Sequence, residues 1–419
     1  MASNLDSGDR TAATPPKASL VNAQEFWSQY CIPPLSAFLK HAGSYTEEQQ
    51  RSHMHFVRDT VIPRIGPQPG TKSLWTYHGS PFEFSINLTD AAEPFVRFVF
   101  DPVGGKIGDG SKPLPKKRCF PCCLVFVEAT RADMRWFNQI KEWLFLKEEE
   151  VLTVRAQWPA FPRVPQIFFA IDLHGGSRSM KVYMFPTSKS WATGQSSVDL
   201  VFDNPKRLEP YGETFAPALD SMKEYFGKSL EPLALDCPGP DCVDPKSARV
   251  KIYAQAKLNA FRTVEHVATF GRKRRDETTL RELERLRKIW HLLLNEPRIA
   301  EDDGLAAAPV DPDNRYKTLP YSWELMQVQE LPDLKIYIHL WLHAKDKPRH
   351  AGELEGDFQG KWLEWGTHDS YKAMIEDALQ WQGVHYGGDA VIHTCASFQF
   401  TDKKGVYMAS YISPPVPEC

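Results

Sequence analysis

The chain has 419 residues, 42% hydrophobic and 25% charged, with a formal net charge of -3 from 50 basic and 53 acidic side chains. That is the composition of a globular protein with an apolar core, and it argues against a general nucleic-acid binder, whose binding domain carries a basic excess. No apolar run approaches the roughly 18 residues of a membrane span, and the N-terminal MASNLDSGDRTAATPPKASL lacks the apolar core of a secretory signal.

Residues 1–20 are therefore expected to be a disordered polar leader, residues 21–419 a single domain, and the location cytoplasmic. Through the first 70 residues, AQEFWSQYCIPPLSAFLK and EEQQRSHMHFVRDTVIPRI carry apolar residues near helical spacing. The texture then changes to strands. β-rich runs cover Glu83–Leu88, Phe95–Asp101, Gln166–Leu173, Met180–Phe185, Arg249–Gln255, Leu334–Leu342, Val391–Phe400 and Val406–Ser413. The polar segments TDAAEP, HGGSRS and TDKKG are short enough to make their flanking strands antiparallel neighbours. Helical patterns lie between the strand pairs, at Arg131–Glu150, Ala216–Phe226, Thr279–Asn295 and Asp369–Trp381. In the third of these, Leu280, Leu283, Leu286, Trp290 and Leu293 form one apolar face. The Pro/Gly-rich stretches 102–121 and 231–246 read as surface loops. This alternation predicts an α+β fold in which roughly ten antiparallel strands close into a barrel with helices outside.

The cysteines are Cys31, Cys119, Cys122, Cys123, Cys237, Cys242, Cys395 and Cys419. The 119–123 and 237–242 clusters are far apart, with strands between them, whereas a structural zinc site pairs short units in a compact module. Without a secretory signal they read as reduced thiols.

The chemistry is concentrated in Arg97-Phe-Val99, Lys181-Val-Tyr183, Arg249-Val-Lys251-Ile-Tyr253 and Lys335-Ile-Tyr337, with Tyr407 and Tyr411 near the end. Strand side chains alternate between faces, so each Lys shares a face with the Tyr two places on, and the Val or Ile between them points to the helices. A barrel turns these faces into one lumen holding Arg97, Lys181, Arg249, Lys251 and Lys335 among tyrosines. Buried cations are costly unless an anion meets them, and Arg and Lys are the usual clamps of a diphosphate. An allylic diphosphate that ionises leaves a carbocation, which aromatic faces stabilise by about 0.5–2 kcal/mol per contact. The DDxxD that would hold a diphosphate through magnesium is absent; Asp302 and Asp303 are the only adjacent aspartates.

On these residues the chain resembles the fungal aromatic prenyltransferases of the dimethylallyltryptophan synthase family. The matching segments are SPFEFSINL, VRFVFDP, KVYMFP, ARVKIYAQ, LKIYI, HTCASFQF and VYMASYISP, in the family's order across residues 74–414. The resemblance implies a ten-stranded antiparallel barrel ringed by helices, the ABBA or PT barrel. It implies metal-independent transfer of a dimethylallyl group from dimethylallyl diphosphate to an aromatic small molecule, without a cofactor, a nucleic acid or a membrane; a homodimer is left open. An indole-containing secondary metabolite is the leading acceptor, and a phenolic polyketide or tyrosine derivative the alternative. A barrel binding an anionic lipid or nucleotide without catalysis is the alternative of another class.

By motif position, Arg97, Lys181, Arg249, Lys251 and Lys335 would bind the diphosphate, and Tyr183, Tyr253, Tyr337, Tyr407 and Tyr411 would shield the carbocation. Glu83 would accept the acceptor's N–H or O–H hydrogen bond, with Leu74 and Trp75 packing against the acceptor. His174 falls near the position of a proton-removing lysine in tryptophan-using relatives, and an imidazole can serve as a general base. Three departures stand out. Lys335 replaces a common Gln, Cys395 replaces a shield tyrosine, and Thr401 replaces an Arg that Lys403 or Lys404 could supply instead. No Arg occurs between Arg207 and Arg249, the region of the carboxylate clamp in tryptophan-using relatives, which favours a larger or neutral indole.

Overall fold

A computed structural model describes residues 17–65, 72–89, 92–102, 124–157, 164–228, 233–256, 258–294, 319–343, 368–379, 392–401, 405–414 and 416. The period-two patterns form one antiparallel sheet of ten strands: β1 (Phe82–Thr89), β2 (Ala92–Phe100), β3 (Ile167–His174), β4 (Ser177–Met184), β5 (Leu233–Pro240), β6 (Val250–Ala256), β7 (Leu319–Leu325), β8 (Asp333–Ile338), β9 (His393–Thr401) and β10 (Gly405–Ile412). Their order is β4-β3-β2-β1-β10-β9-β8-β7-β6-β5. The two ends meet where Lys181 bridges Asp241 and the Cys242 N–H donates to the Met180 carbonyl at 2.9 Å, so the sheet is a nearly closed barrel.

Alternation sorts the strand residues into two environments. Phe84, Phe98, Val182, Ile252, Trp323 and Ile336 join the main apolar core between barrel and helices. Phe38, in helix Lys17–Ala42, lies 5.9 Å from Phe84, and Phe226, in helix Ala216–Lys228, 5.3 Å from Trp323. Each such side chain contributes about 1.5–3 kcal/mol of transfer free energy, which holds the helices on the barrel. The residues interleaved with them face inward, where Val99, Phe168, Ala170, Tyr183 and Cys237 form one apolar cluster and Cys395, Tyr407, Ala409 and Tyr411 another.

Several expectations require correction. Residues 233–240, read as loop, form β5, and 319–325, unassigned, form β7. β5 is the last strand of the sheet order, so Pro238 and Pro240 need no N–H partner on their free side. A Cβ on Gly239 would lie 3.0 Å from the Val182 carbonyl oxygen, so glycine lets β5 approach β4. Pro320 in β7 precedes the first residue paired with β8, Tyr321. Residues 340–342 form a 3-10 turn rather than an extension of β8, and 131–150 is divided between helices Arg135–Leu144 and Glu148–Gln157. The first described helix runs from Lys17 to Ala42. Cys119, Cys122, Cys123, Cys419, Lys403 and Lys404 lie outside the described residues; Cys31, Cys237, Cys242 and Cys395 are buried. No described helix is long and apolar enough to cross a membrane.

Candidate active site in the barrel lumen

Ion pairs and close approach gather the five cations of the sequence reading in one part of the lumen, together with three carboxylates that reading did not single out. Arg97 on β2 faces Asp172 on β3 and binds it through two nitrogens, Nη2 to Oδ2 at 3.0 Å; Lys181 on β4 binds the same carboxylate. Arg249 donates to Asp241 at 2.7 Å and to Glu324 at 2.6 Å, and Lys251 lies 3.4 and 3.7 Å from the same two groups. Lys335 sits 4.0 Å above the centre of the Tyr407 ring.

Five basic side chains against three carboxylates give this layer a formal excess of two cationic groups, all buried apart from the Arg249 side chain, which is 23% exposed. Burial would raise the Asp172 carboxyl, but Arg97 and Lys181 hold it well below the ordinary range. Burial and Arg97 pull Lys181 down to about 7 despite Asp172, and push Lys335 well below its usual value. The Gln399 Nε2 amide is buried with no hydrogen-bond partner among the described residues, and Gln399 lies opposite both Lys335 and Tyr407. Such a layer has the donors and the formal charge to receive an anion.

Next along the lumen stand the tyrosines. Ring centroids are 5.3 Å apart for Tyr183 and Tyr253, 6.3 Å for Tyr253 and Tyr337, and 6.0 Å for Tyr337 and Tyr411. Tyr407 hydrogen-bonds Asn87, and Cys395 lies opposite Tyr411. Beyond the tyrosines is a cavity of about 240 Å³.

Glu83 lines this cavity, with Oε1 accepting from Thr394 at 2.6 Å and Oε2 from the Trp75 indole N–H at 2.8 Å. Burial raises its pKa to about 7, against the opposing effect of those two hydrogen bonds. The Trp75 ring stacks on Tyr183 at 5.4 Å and meets Phe168 edge-on at 5.0 Å. Leu74, Tyr183, Tyr253, Tyr337 and Tyr411 also line the cavity; the five cations do not.

His174 lies apart from the cavity. Register sets Glu83 level with Val99 and Ala170, so His174 is four residues farther along β3, roughly 13 Å at the strand rise. It ends β3 on the cation side, partly exposed, 3.8 Å from Asp172 and against Phe95, and it does not line the cavity. Phe168 is the β3 residue that does. Asp172 and Glu324 carried a signal, since each continues an inward-facing alternation (Phe168, Ala170, Asp172; Ser322, Glu324). Asp241 sits just past β5, in a segment that resembles a turn.

A family model described as tryptophan dimethylallyltransferase matches residues 23–373. The chain is 32% identical to the indole diterpene prenyltransferase terF of Tolypocladium album, over 97% of this chain and 98% of that protein. It is 29% identical to the indole prenyltransferase tdiB of Emericella nidulans, over 94% and 96% of the respective chains. The fold superposes on NotF, solved in complex with brevianamide F and DMSPP, with a TM-score of 0.76 at 21% identity, covering 98% of each chain.

Proposed function

The chain belongs to the tryptophan dimethylallyltransferase family, and on that footing we propose that this prenyltransferase moves a dimethylallyl group from dimethylallyl diphosphate to the indole ring of a secondary metabolite, without a metal. The diphosphate is held by Arg97, Lys181, Arg249, Lys251 and Lys335, with Gln399 supplying a further N–H. Its charge offsets the two positive charges left over in that layer. The donor C–O bond breaks, the diphosphate keeps the electron pair, and the allyl cation is faced by Tyr183, Tyr253, Tyr337, Tyr407 and Tyr411. These phenol rings stabilise the cation and keep water from it. Glu83 accepts the acceptor's indole N–H hydrogen bond, which raises the electron density of the ring as it attacks. A C–C bond forms, and loss of the ring proton restores aromaticity.

The observation that carries this reading is the hydrogen bond from Trp75 to Glu83. One of the chain's own indoles lines the cavity, its N–H on the carboxylate and its face on Tyr183. An acceptor indole takes the same two partners, with Trp75 moving aside. The relatives terF and tdiB are named for indole acceptors, which supports the same class.

The test is product formation from dimethylallyl diphosphate with matched indoles and phenols, read by mass spectrometry. Prenylated indoles as main products support the reading. Transfer to phenols alone would overturn the choice of acceptor.

A further inference from the structure

The cavity that holds Glu83 contains a second carboxylate for which the transfer chemistry has no use. Asp236 lines it from β5, and Gln255, from β6, donates its Nε2 to Asp236 Oδ2 at 2.7 Å. The strand is built to aim it there. The β5–β6 register shifts between Leu235 and Cys237: Leu235 pairs with Ala254 and packs on the outer core, while Cys237 pairs with Tyr253 and belongs to the inner cluster. A bulge at Asp236 thus turns both Asp236 and Cys237 into the lumen, where strict alternation would have kept one of them out.

The remaining oxygen of Asp236, Oδ1, has no hydrogen-bond partner among the described residues, and none of the described lining residues is Lys or Arg. A carboxylate in an aromatic wall is costly unless a donor meets it. The protein supplies one donor, Gln255, and leaves the other place to whatever fills the cavity. The lumen is also polarised along its length, with cations in the diphosphate layer and two carboxyl groups, Glu83 and Asp236, at the acceptor end. An acceptor carrying its own carboxylate meets repulsion there with no cation among the described lining residues to offset it.

We propose that Asp236, pinned by Gln255, is an acceptor-anchoring residue that takes a hydrogen bond from a hydroxyl on the acceptor, away from its indole, and turns away acceptors bearing a carboxylate. The proposal rests on the cavity being the acceptor site, and it narrows the substrate class to neutral, hydroxylated indoles. Burial raises the Asp236 carboxyl to about 6, so it is mainly ionised at neutral pH and accepts strongly.

The experiment compares 3-(3-hydroxypropyl)indole with indole-3-propionate, which differ only in the group presented to Asp236. Wild type should favour the hydroxyl compound in kcat/KM by about tenfold or more, the size of one hydrogen bond to a charged group. Asp236→Asn should shrink that ratio by about tenfold, mainly through KM. Gln255→Met, which releases the carboxylate, should shrink it less, and it reads the same ratio if Asp236→Asn does not fold. Calorimetric binding of the two indoles reads the subsite independently of turnover. Absence of prenylation on every indole would therefore count against the proposed function, while the binding ratio still decides the subsite. An equal ratio in wild type and Asp236→Asn, or a wild-type preference for the carboxylate, would overturn the proposal.

Discussion

Glu83 is shut off from water by the barrel, yet it holds two hydrogen-bond donors and has a pKa near 7. Only the ionised form accepts an acceptor N–H without offering a competing proton. Acceptor kcat/KM, which reports the free enzyme, should therefore fall as pH drops through about 7. Trp75→Phe removes one of the hydrogen bonds that lower this pKa, so the acid limb of the profile should move to higher pH. The same change frees Oε2 for the acceptor, so KM should fall at pH 8, where the carboxylate is ionised in both proteins. An unmoved limb would mean that Trp75 does not hold Glu83 in solution. At this scale the sequence was readable where a residue sits inside a dense motif, as Glu83 does in PFEFS and Lys181 in KVYMFP. Cross-strand level was not readable: His174 lies four residues along β3 from Ala170, the residue that register sets level with Glu83.

Among the elements, the Lys-apolar-Tyr pattern was legible because alternation is local, and Val182, Ile252 and Ile336 do face the helices. Strands β5 and β7 were obscured by prolines, which the sheet tolerates through an edge position and a late start to pairing. With β5 unread, the seam carboxylate Asp241 and its partners could not be seen. Asp241 accepts from Arg249, lies near Lys251, and bridges to Lys181 across the closure. Asp241→Asn leaves buried cations short of a counter-charge at the closing edge and should destabilise the protein by about 3 kcal/mol, measured by denaturant unfolding. Lys335 makes the opposite case. Folding disfavours its protonated form, through burial first and Arg97 next, so its charge weakens the empty protein at neutral pH, and the penalty fades as pH rises. Lys335→Gln should accordingly raise the stability of the ligand-free protein by about 1 kcal/mol or more while weakening diphosphate binding. A lower Tm for that variant would show that the Lys335–Tyr407 contact outweighs the cost of the buried charge.

For the molecule as a whole, the barrel sets an excess of positive charge at one level of its lumen, phenol rings next to it, and carboxyl groups beyond them. The excess was foreseeable from the spacing of cations on separate strands; its partial neutralisation by Asp172, Asp241 and Glu324 was not, because cross-strand register is a property of the closed sheet. Inorganic diphosphate, binding only the folded state, should raise stability by about 2.7 kcal/mol at a hundred times its Kd, read as a Tm shift in the presence of EDTA. The most direct measurement of the central claim is product formation from dimethylallyl diphosphate and an indole acceptor in EDTA, for wild type beside Glu83→Gln. Prenylated indole from wild type, with kcat at least about a hundredfold lower in Glu83→Gln and an unchanged diphosphate-induced Tm shift, is the expected result. Loss of wild-type product in EDTA, or full activity in Glu83→Gln, would contradict the account.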